Sequence, residues 1–156
     1  MLVLPRSIAF RVIGLSTLLA VAAMFLIATM ISALYHERAL GSADEVLEAH
    51  LHHLIGAVGV GEDGALRGTP DLGRLEFLEP DSGHYWEVEA ISDGLAGLLR
   101  SPSMRGDIVL APLAEAPFDF NYRRFYNAPG LAGEEVRVIE AEYVLGNEEQ
   151  VARFRV

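Results

Sequence analysis

The chain has no cysteine and no lysine. Without Cys there is no disulfide framework, no Cys-ligated zinc and no thiol nucleophile, so a small domain outside the cytoplasm must be held by its own core. The compartment itself is left open by that absence. All 12 basic residues are Arg, against 22 Asp and Glu, for a formal net charge of -10. This balance excludes the basic face that a nucleic-acid phosphate binder needs. A Gly-rich phosphate loop, a Gly-x-Ser-x-Gly elbow and a His-Glu-x-x-His zinc motif are all missing, which removes the enzyme classes those motifs mark. No internal repeat, low-complexity tract or long linker divides the sequence, and 156 residues leave room for one domain.

What is present in excess is apolar: 51% of residues are hydrophobic and the mean hydropathy is +0.28. The excess is concentrated in Val12 to Leu34, 23 residues without a charge. At ~1.5 Å rise per residue this run reaches roughly 35 Å, enough to cross a hydrocarbon layer of about 30 Å. A cleaved signal usually has an apolar core of only about 7–15 residues and a small-x-small site. The best such site, ending at Ala33, carries the bulky Ile31. An uncleaved anchor is therefore the expectation over a secreted module processed near Ala33. Arg6 and Arg11 precede the span, whereas the 121 residues from His36 onward hold every acidic residue. The positive-inside bias places Met1 in the cytoplasm and the acidic bulk outside it. Residues 1–11 are then a cytoplasmic N-terminus and 12–35 the membrane helix.

Residues 36–60 read as a linking helix, with Leu40, Leu47, Leu51, Leu54 and Val58 on one stripe. The stripe has two possible partners, its own domain's sheet or a second copy in a short coiled coil. Ser42 followed by Glu45 forms a possible capping box that would restart the helix after Gly41 and leave a hinge outside the bilayer. From residue 61 the period becomes β-like. Gly61 to Gly64 reads as a turn and Gly68 to Pro80 as a loop. His84 to Ile91 alternates, with Trp86, Val88 and Ala90 on one face and Tyr85, Glu87 and Glu89 on the other. Asp93-Gly94 signals a hairpin into Leu95 to Ser101. Phe118 to Tyr126 is expected as a strand, though Arg124 interrupts its apolar face. A second hairpin is expected from Glu135–Leu145 and Gln150–Val156 across Gly146-Asn147, with Ala152, Phe154 and Val156 opposite Arg153 and Arg155. The fold class is α+β, an antiparallel sheet of about five strands covered by the linking helix. The final strand stops without a polar tail, so the chain is expected to be part of something longer.

Ser82-Gly83-His84-Tyr85-Trp86-Glu87-Val88, the Asp-Gly hairpin, and Leu98-Leu99-Arg100-Ser101-Pro102-Ser103-Met104 resemble the extracytoplasmic sensor region of bacterial sensor histidine kinases. The anchor from Arg6 to Leu34, the acidic linking helix and Val136-Arg137-Val138-Ile139-Glu140 are similar in order and spacing. The resemblance covers essentially the whole chain. It implies an anchor in the bacterial inner membrane, a PAS-like sensor over 61–156, a homodimer, a second membrane helix after the last strand, and a cytoplasmic kinase core that uses ATP and Mg and phosphorylates a response regulator. No kinase core lies in this sequence and no cofactor is expected within it. None of the five His residues is assigned as the phosphorylated one, because all lie in or after the linking helix.

Four residues are candidates for ligand binding, Tyr85, Glu87, Glu89 and Arg100. Glu87 and Glu89 point the same way on a strand and read first as a solvated face, with no acid-base partner for catalysis. Grouped with Asp81 and Asp93 they form an acidic patch able to offer oxygen ligands to a divalent cation. His50 and His53 are i, i+3 neighbours able to share a metal or respond to pH between about 5 and 8, or else to serve as the polar flank of the stripe. Arg100, Arg123 and Arg124 can hold an anion bidentately, but nearby carboxylates make cross-strand pairing the first expectation. The rival to a sensor is a single-pass anchored assembly or binding protein. A pilin-like subunit would carry an acidic residue near the start of its apolar helix, and this span has none.

Overall fold

A computed structural model of the chain describes residues 8–146 and 149–156, with side-chain detail at all of these except 9 and 33–42. Two compact units divide between Ser42 and Ala43. In the first, Phe10–Ser32 is helical, long and apolar enough to cross a membrane, and its side chains are exposed. Leu, Ala and Met favour helix there, and no proline interrupts it.

The helix containing this run, α1, extends over Ile8–Ala57. The restart expected at Ser42 therefore does not occur, and Ser42 with Glu45 is not a capping box. A cap is worth about 1 kcal/mol, whereas a break would strip intrahelical partners from several backbone N–H and C=O groups. The side chains of Leu40 and Ser42 lie outside the described residues.

The second unit begins within the final turns of α1. The linking helix was expected to reach residue 60, but it stops at Ala57, and Val58–Val60 forms a short strand, β1. Gly56, Gly59 and Gly61 are poor helix residues. The β-branched Val58 and Val60 pair antiparallel with Leu66–Gly68, β2, around the turn at Gly61–Gly64. Gly68 is required at this hairpin because a Cβ there would collide with the Ala57 carbonyl oxygen.

The main sheet has five antiparallel strands: β3 (Glu87–Ala90), β4 (Leu98–Arg100), β5 (Arg123–Pro129), β6 (Glu135–Val144) and β7 (Val151–Arg155). Their spatial order is β4-β3-β7-β6-β5. Adjacent hairpins join β3 to β4, β5 to β6 and β6 to β7, while β7 also pairs with β3. The last strand in chain order thus lies at the centre. Strand β4 is shorter than the Leu95–Ser101 expectation, and Gly94 at φ 87 makes the turn before it. The expected strand Phe118–Tyr126 is displaced toward the C-terminus. Asp119 accepts hydrogen bonds from the backbone N–H groups of Asn121 and Arg123, which closes a turn over these residues and delays the strand to Arg123. Phe120 is 91% exposed in that turn.

One sheet face receives the end of α1. Leu51, Leu54 and Val58 are buried with Trp86, Val88, Ile139, Ala141, Ala152 and Phe154, and Leu47 is half-buried beside them. Of the two partners considered for the stripe, these residues meet their own sheet. Ion pairs fix the same face of the helix, Asp44 to Arg137 at 2.9 Å and Glu48 to Arg123 at 2.8 Å. The opposite sheet face is covered by the long connection from Ser101 to Tyr122. Tyr85, Tyr126, Ala128, Val136 and Val138 form a second core there, with Met104, Ile108, Ala111 and Ala116 packed on it.

Candidate functional site

The alternation of β3 sends Val88 into the helix-side core and Glu87 and Glu89 to the covered face. That face is not solvated as expected, for Glu87 is 7% exposed. The register places one residue from each strand in a single row across it: Arg100 opposite Glu87, Glu87 opposite Arg155, Arg155 opposite Glu140, and Glu140 opposite Arg124. Charges alternate in sign along the row, so each interior member faces opposite charge on both sides. Such cross-strand pairs are the unit of sheet stabilisation.

The bonds along the row are charge-assisted. Arg100 Nε donates to Glu87 at 2.7 Å, and Arg155 Nη1 donates to the other Glu87 oxygen. Arg124 Nη2 donates to Glu140 Oε2 at 2.8 Å, and the Tyr126 hydroxyl donates to the same oxygen at 2.7 Å. Glu140 has no exposure to solvent. Its neighbours Arg153 and Arg155 stand 3.2 and 3.6 Å away, within ion-pair range but without hydrogen-bond geometry. Arg124 is further held by ring faces, its guanidinium carbon 4.7 Å from the Tyr126 centroid and 5.1 Å from that of Phe118. Burial disfavours the charge on Arg155, yet Glu140, Glu87 and Glu89 outweigh it and raise its pKa. Burial and the adjoining Glu140 carboxylate both push the Tyr126 phenol upward, keeping it a neutral donor.

The row also ties down the connection that covers it. Arg124 Nη1 donates to the carbonyls of Ala111 and Ala116 at 3.0 and 3.1 Å, and Arg100 Nη2 donates to Asp107 at 2.5 Å. Near its start, Ser101 Oγ accepts from the Trp86 N–H at 3.1 Å and Ser103 Oγ donates to the His84 carbonyl at 2.6 Å. The two hydroxyls bond each other at 2.8 Å. The segments around His84-Tyr85-Trp86 and Ser101-Pro102-Ser103 are therefore pinned side by side, a physical reason for small hydroxyl residues at those positions.

Between the sheet and this connection lies a cavity of ≈ 250 Å³. Tyr85, Glu87, Glu89 and Arg100, the four ligand candidates, all contribute to its wall. Arg155 and Asp107 add charge, and Leu98, Met104, Ile108, Val136 and Val138 add apolar surface. Trp86, the single tryptophan of the chain, also contributes. A concave, mostly apolar site with a few fixed polar groups can hold and orient a small molecule.

The other candidates are not gathered there. Asp81 precedes β3 at φ 55 and Asp93 follows it in the β3–β4 turn, both exposed. Among the described residues no group of three or more His, Asp or Glu is placed to hold a metal ion. His50 packs edge-on against Phe77 at 5.5 Å, and Phe77 packs edge-on against His84 at 5.9 Å. Burial, with Arg74, His53 and His84 nearby, lowers the His50 pKa from 6.5. His53 is exposed beside it. Arg123 bonds to Glu48 rather than joining Arg124 on the covered face.

The expected cross-strand pairing of Arg100 and Arg124 with carboxylates is present, but its continuity as one buried row was not foreseen, because Glu140, Arg124 and Arg155 lie in three separate strands. The available signal was Arg124, an arginine at a position the apolar pattern marked as inward. A buried Arg requires a buried carboxylate, and Glu140 occupies the equivalent face of the neighbouring strand.

No protein-family model, curated protein or solved structure matches this chain.

Proposed function

We propose that the chain is the membrane-anchored signal-sensing region of a two-component sensor histidine kinase, with its sheet domain outside the cytoplasm as a PAS-like sensor. The observation that carries this reading is the cavity beneath the connection 101–122, whose wall contains Tyr85, Glu87, Glu89 and Arg100. A helix leading into a five-stranded antiparallel sheet of order 2-1-5-4-3, counted along the chain, supports the PAS-like assignment. The apolar run Phe10–Ser32 supports the anchor.

In this mechanism the signal binds between the sheet and its covering connection. The end of α1 is packed on the other face of the same sheet through Leu51 and Leu54. A ligand that prefers one arrangement of the sheet thereby biases α1, and a homodimer carries the bias through the membrane helix. The two arrangements must differ by only a few kcal/mol and be bound unequally. ATP, Mg and the response regulator belong to the cytoplasmic kinase of the parent protein.

Reading the gene beyond Val156 tests this. A second apolar span followed by a phospho-accepting His helix and an ATP-binding domain is the expected result. A stop codon directly after Val156 would overturn the kinase linkage and favour an anchored binding module.

A further inference from the structure

From the charge census of the covered sheet face we infer that the cavity takes a small organic cation, an ammonium or amidinium group on an apolar body. The inference rests on reading the cavity as the signal-binding site.

The cavity offers charges of both signs, so the decision lies in which of them already have partners. Arg100 is shared by Glu87 and Asp107, and Arg155 is shared by Glu87 and Glu89. Both oxygens of Glu87 are occupied by guanidinium donors. The chain Asp107–Arg100–Glu87–Arg155–Glu89 begins and ends on a carboxylate. Each end carboxylate has one Arg partner, engaged through Oδ1 of Asp107 and Oε2 of Glu89. Among the described residues, nothing donates to Glu89 Oε1 or Asp107 Oδ2.

Extending the census to the whole connected network does not change the sign. Arg100, Arg124, Arg153 and Arg155 stand against Glu87, Glu89, Asp107, Glu140 and Glu142, which leaves one carboxylate in excess, and Arg137, the third arginine of the wall, is matched by Asp44. Among the described residues, Arg100 Nη1 and Arg155 Nε have no hydrogen-bond acceptor, the latter standing 3.6 Å from Glu140 Oε2, so an anion could be met by a donor, but it would add to the carboxylate excess. A cation extends the alternation at Glu89 and neutralises it. Opposite charge is attractive and like charge unfavourable, and at Glu89, whose side chain is 43% exposed, solvent screens part of that difference.

The rest of the wall selects size and character. At ≈ 250 Å³ the cavity lies just below the usual range of about 300–1,000 Å³ for small-molecule pockets. Leu98 pairs with Glu89 across β3 and β4 and is part of the wall, so an apolar surface adjoins the charged end. Met104, Ile108 and Val138 continue it. The fitting ligand is a compact monoamine, with its body on these side chains and its charged end at Glu89.

The single tryptophan makes the test direct, because Trp86 borders the cavity and no other indole competes with its emission. The full chain in detergent micelles would be titrated with phenethylamine, with phenylacetate and phenylalanine as anionic and zwitterionic probes of similar shape. Saturable change in Trp86 emission with phenethylamine, and at least tenfold weaker response to phenylacetate, is expected. Glu89→Gln should weaken the amine at least tenfold. Asp107→Asn, at an 83% exposed side chain bonded only to the outermost arginine of the row, gives a second variant and should weaken the amine several-fold. Tighter binding of phenylacetate or phenylalanine would overturn the cation inference while leaving the cavity a binding site. Silence from all three probes, or unchanged amine affinity in both folded variants, would overturn the inference as well. None of these outcomes depends on the gene sequence beyond Val156, so the sensor-kinase reading stands or falls separately.

Discussion

Removing the Glu140 carboxylate should be among the most damaging single changes in the sheet. Glu140→Ala leaves Arg124 buried, at 6% exposure, without its carboxylate partner, while Arg155 keeps Glu87 and Glu89. It also leaves the Tyr126 hydroxyl without its acceptor. Breaking a buried ion pair by deleting one partner costs about 3–5 kcal/mol, chiefly because the other charge stays buried. Loss of the hydroxyl's acceptor, about 1–3 kcal/mol in isolation, falls within that range because the groups form one network and do not add independently. A loss of this size is a large part of the roughly 5–15 kcal/mol that stabilises an ordinary domain. The cost arises from stranded charge rather than from the worth of the pair, and a companion variant separates the two. In Arg124→Met/Glu140→Leu both members are replaced by apolar groups of similar volume, and Arg155 retains Glu87 and Glu89. The double variant should recover to within about 1–2 kcal/mol of the parent, since buried pairs are commonly replaceable by packed hydrophobes. Urea unfolding of the full chain in detergent micelles, followed by Trp86 emission, gives the midpoints at constant slope. A loss below about 1 kcal/mol for Glu140→Ala would refute the stranded-charge account, as would a double variant worse than either single one.

The other predictions use the same unfolding measurement. Leu54→Ala should cost about 2–5 kcal/mol as a cavity in the helix-side core, and Leu51→Arg should abolish folding rather than selectively weaken a dimer, which crosslinking of the folded fraction would detect. Ser103→Ala should cost about 1–3 kcal/mol, because it removes the donor to the His84 carbonyl and the partner of Ser101; an unchanged midpoint would dismiss the hydroxyl pin. The lowered His50 pKa means that the unfolded chain takes up a proton more readily than the folded one. Its contribution is therefore neutral above 6.5, and stability falls as pH drops below that value toward the depressed folded pKa. His50→Gln should flatten this part of the profile, and equal slopes in parent and variant would reject the assignment.

The sequence was most informative where one face of an element had a single environment. The alternation of residues 84–91 and 150–156 set the helix-side core, and both expected hairpins formed. The α1 stripe was equally clear at Leu51 and Leu54, but its partner was not, since a sheet and a second helix demand the same apolar spacing. Boundaries failed where local chemistry competed with pattern. Asp119 capped a turn across an aromatic alternation, and β-branched Val58 and Val60 found a strand partner at Leu66–Gly68. The cavity was legible only as candidate residues. Tyr85, Glu87 and Glu89 alternate on one strand and Arg100 lies across the hairpin, but the irregular connection that encloses them has no period to read.

The central position of β7 has a consequence for how the domain is made. During synthesis the β3–β4 hairpin emerges first and β6 comes later, while the strand destined to lie between them is still unmade. Until then β3 carries Glu87 and Glu89 and β6 carries Glu140 and Glu142 on the same face of the growing sheet. Direct pairing of β3 with β6 on that face would bring carboxylates together, which is destabilising, so such pairing is expected to be disfavoured. Arg153 and Arg155 arrive last and are attracted from both sides. Ribosome-stalled chains ending before Val151 should accordingly show no β3–β6 crosslinks, and charge-neutral Gln substitutions at the four glutamates should let them form. That outcome would mean that electrostatics reserves the centre of the sheet for the strand translated last.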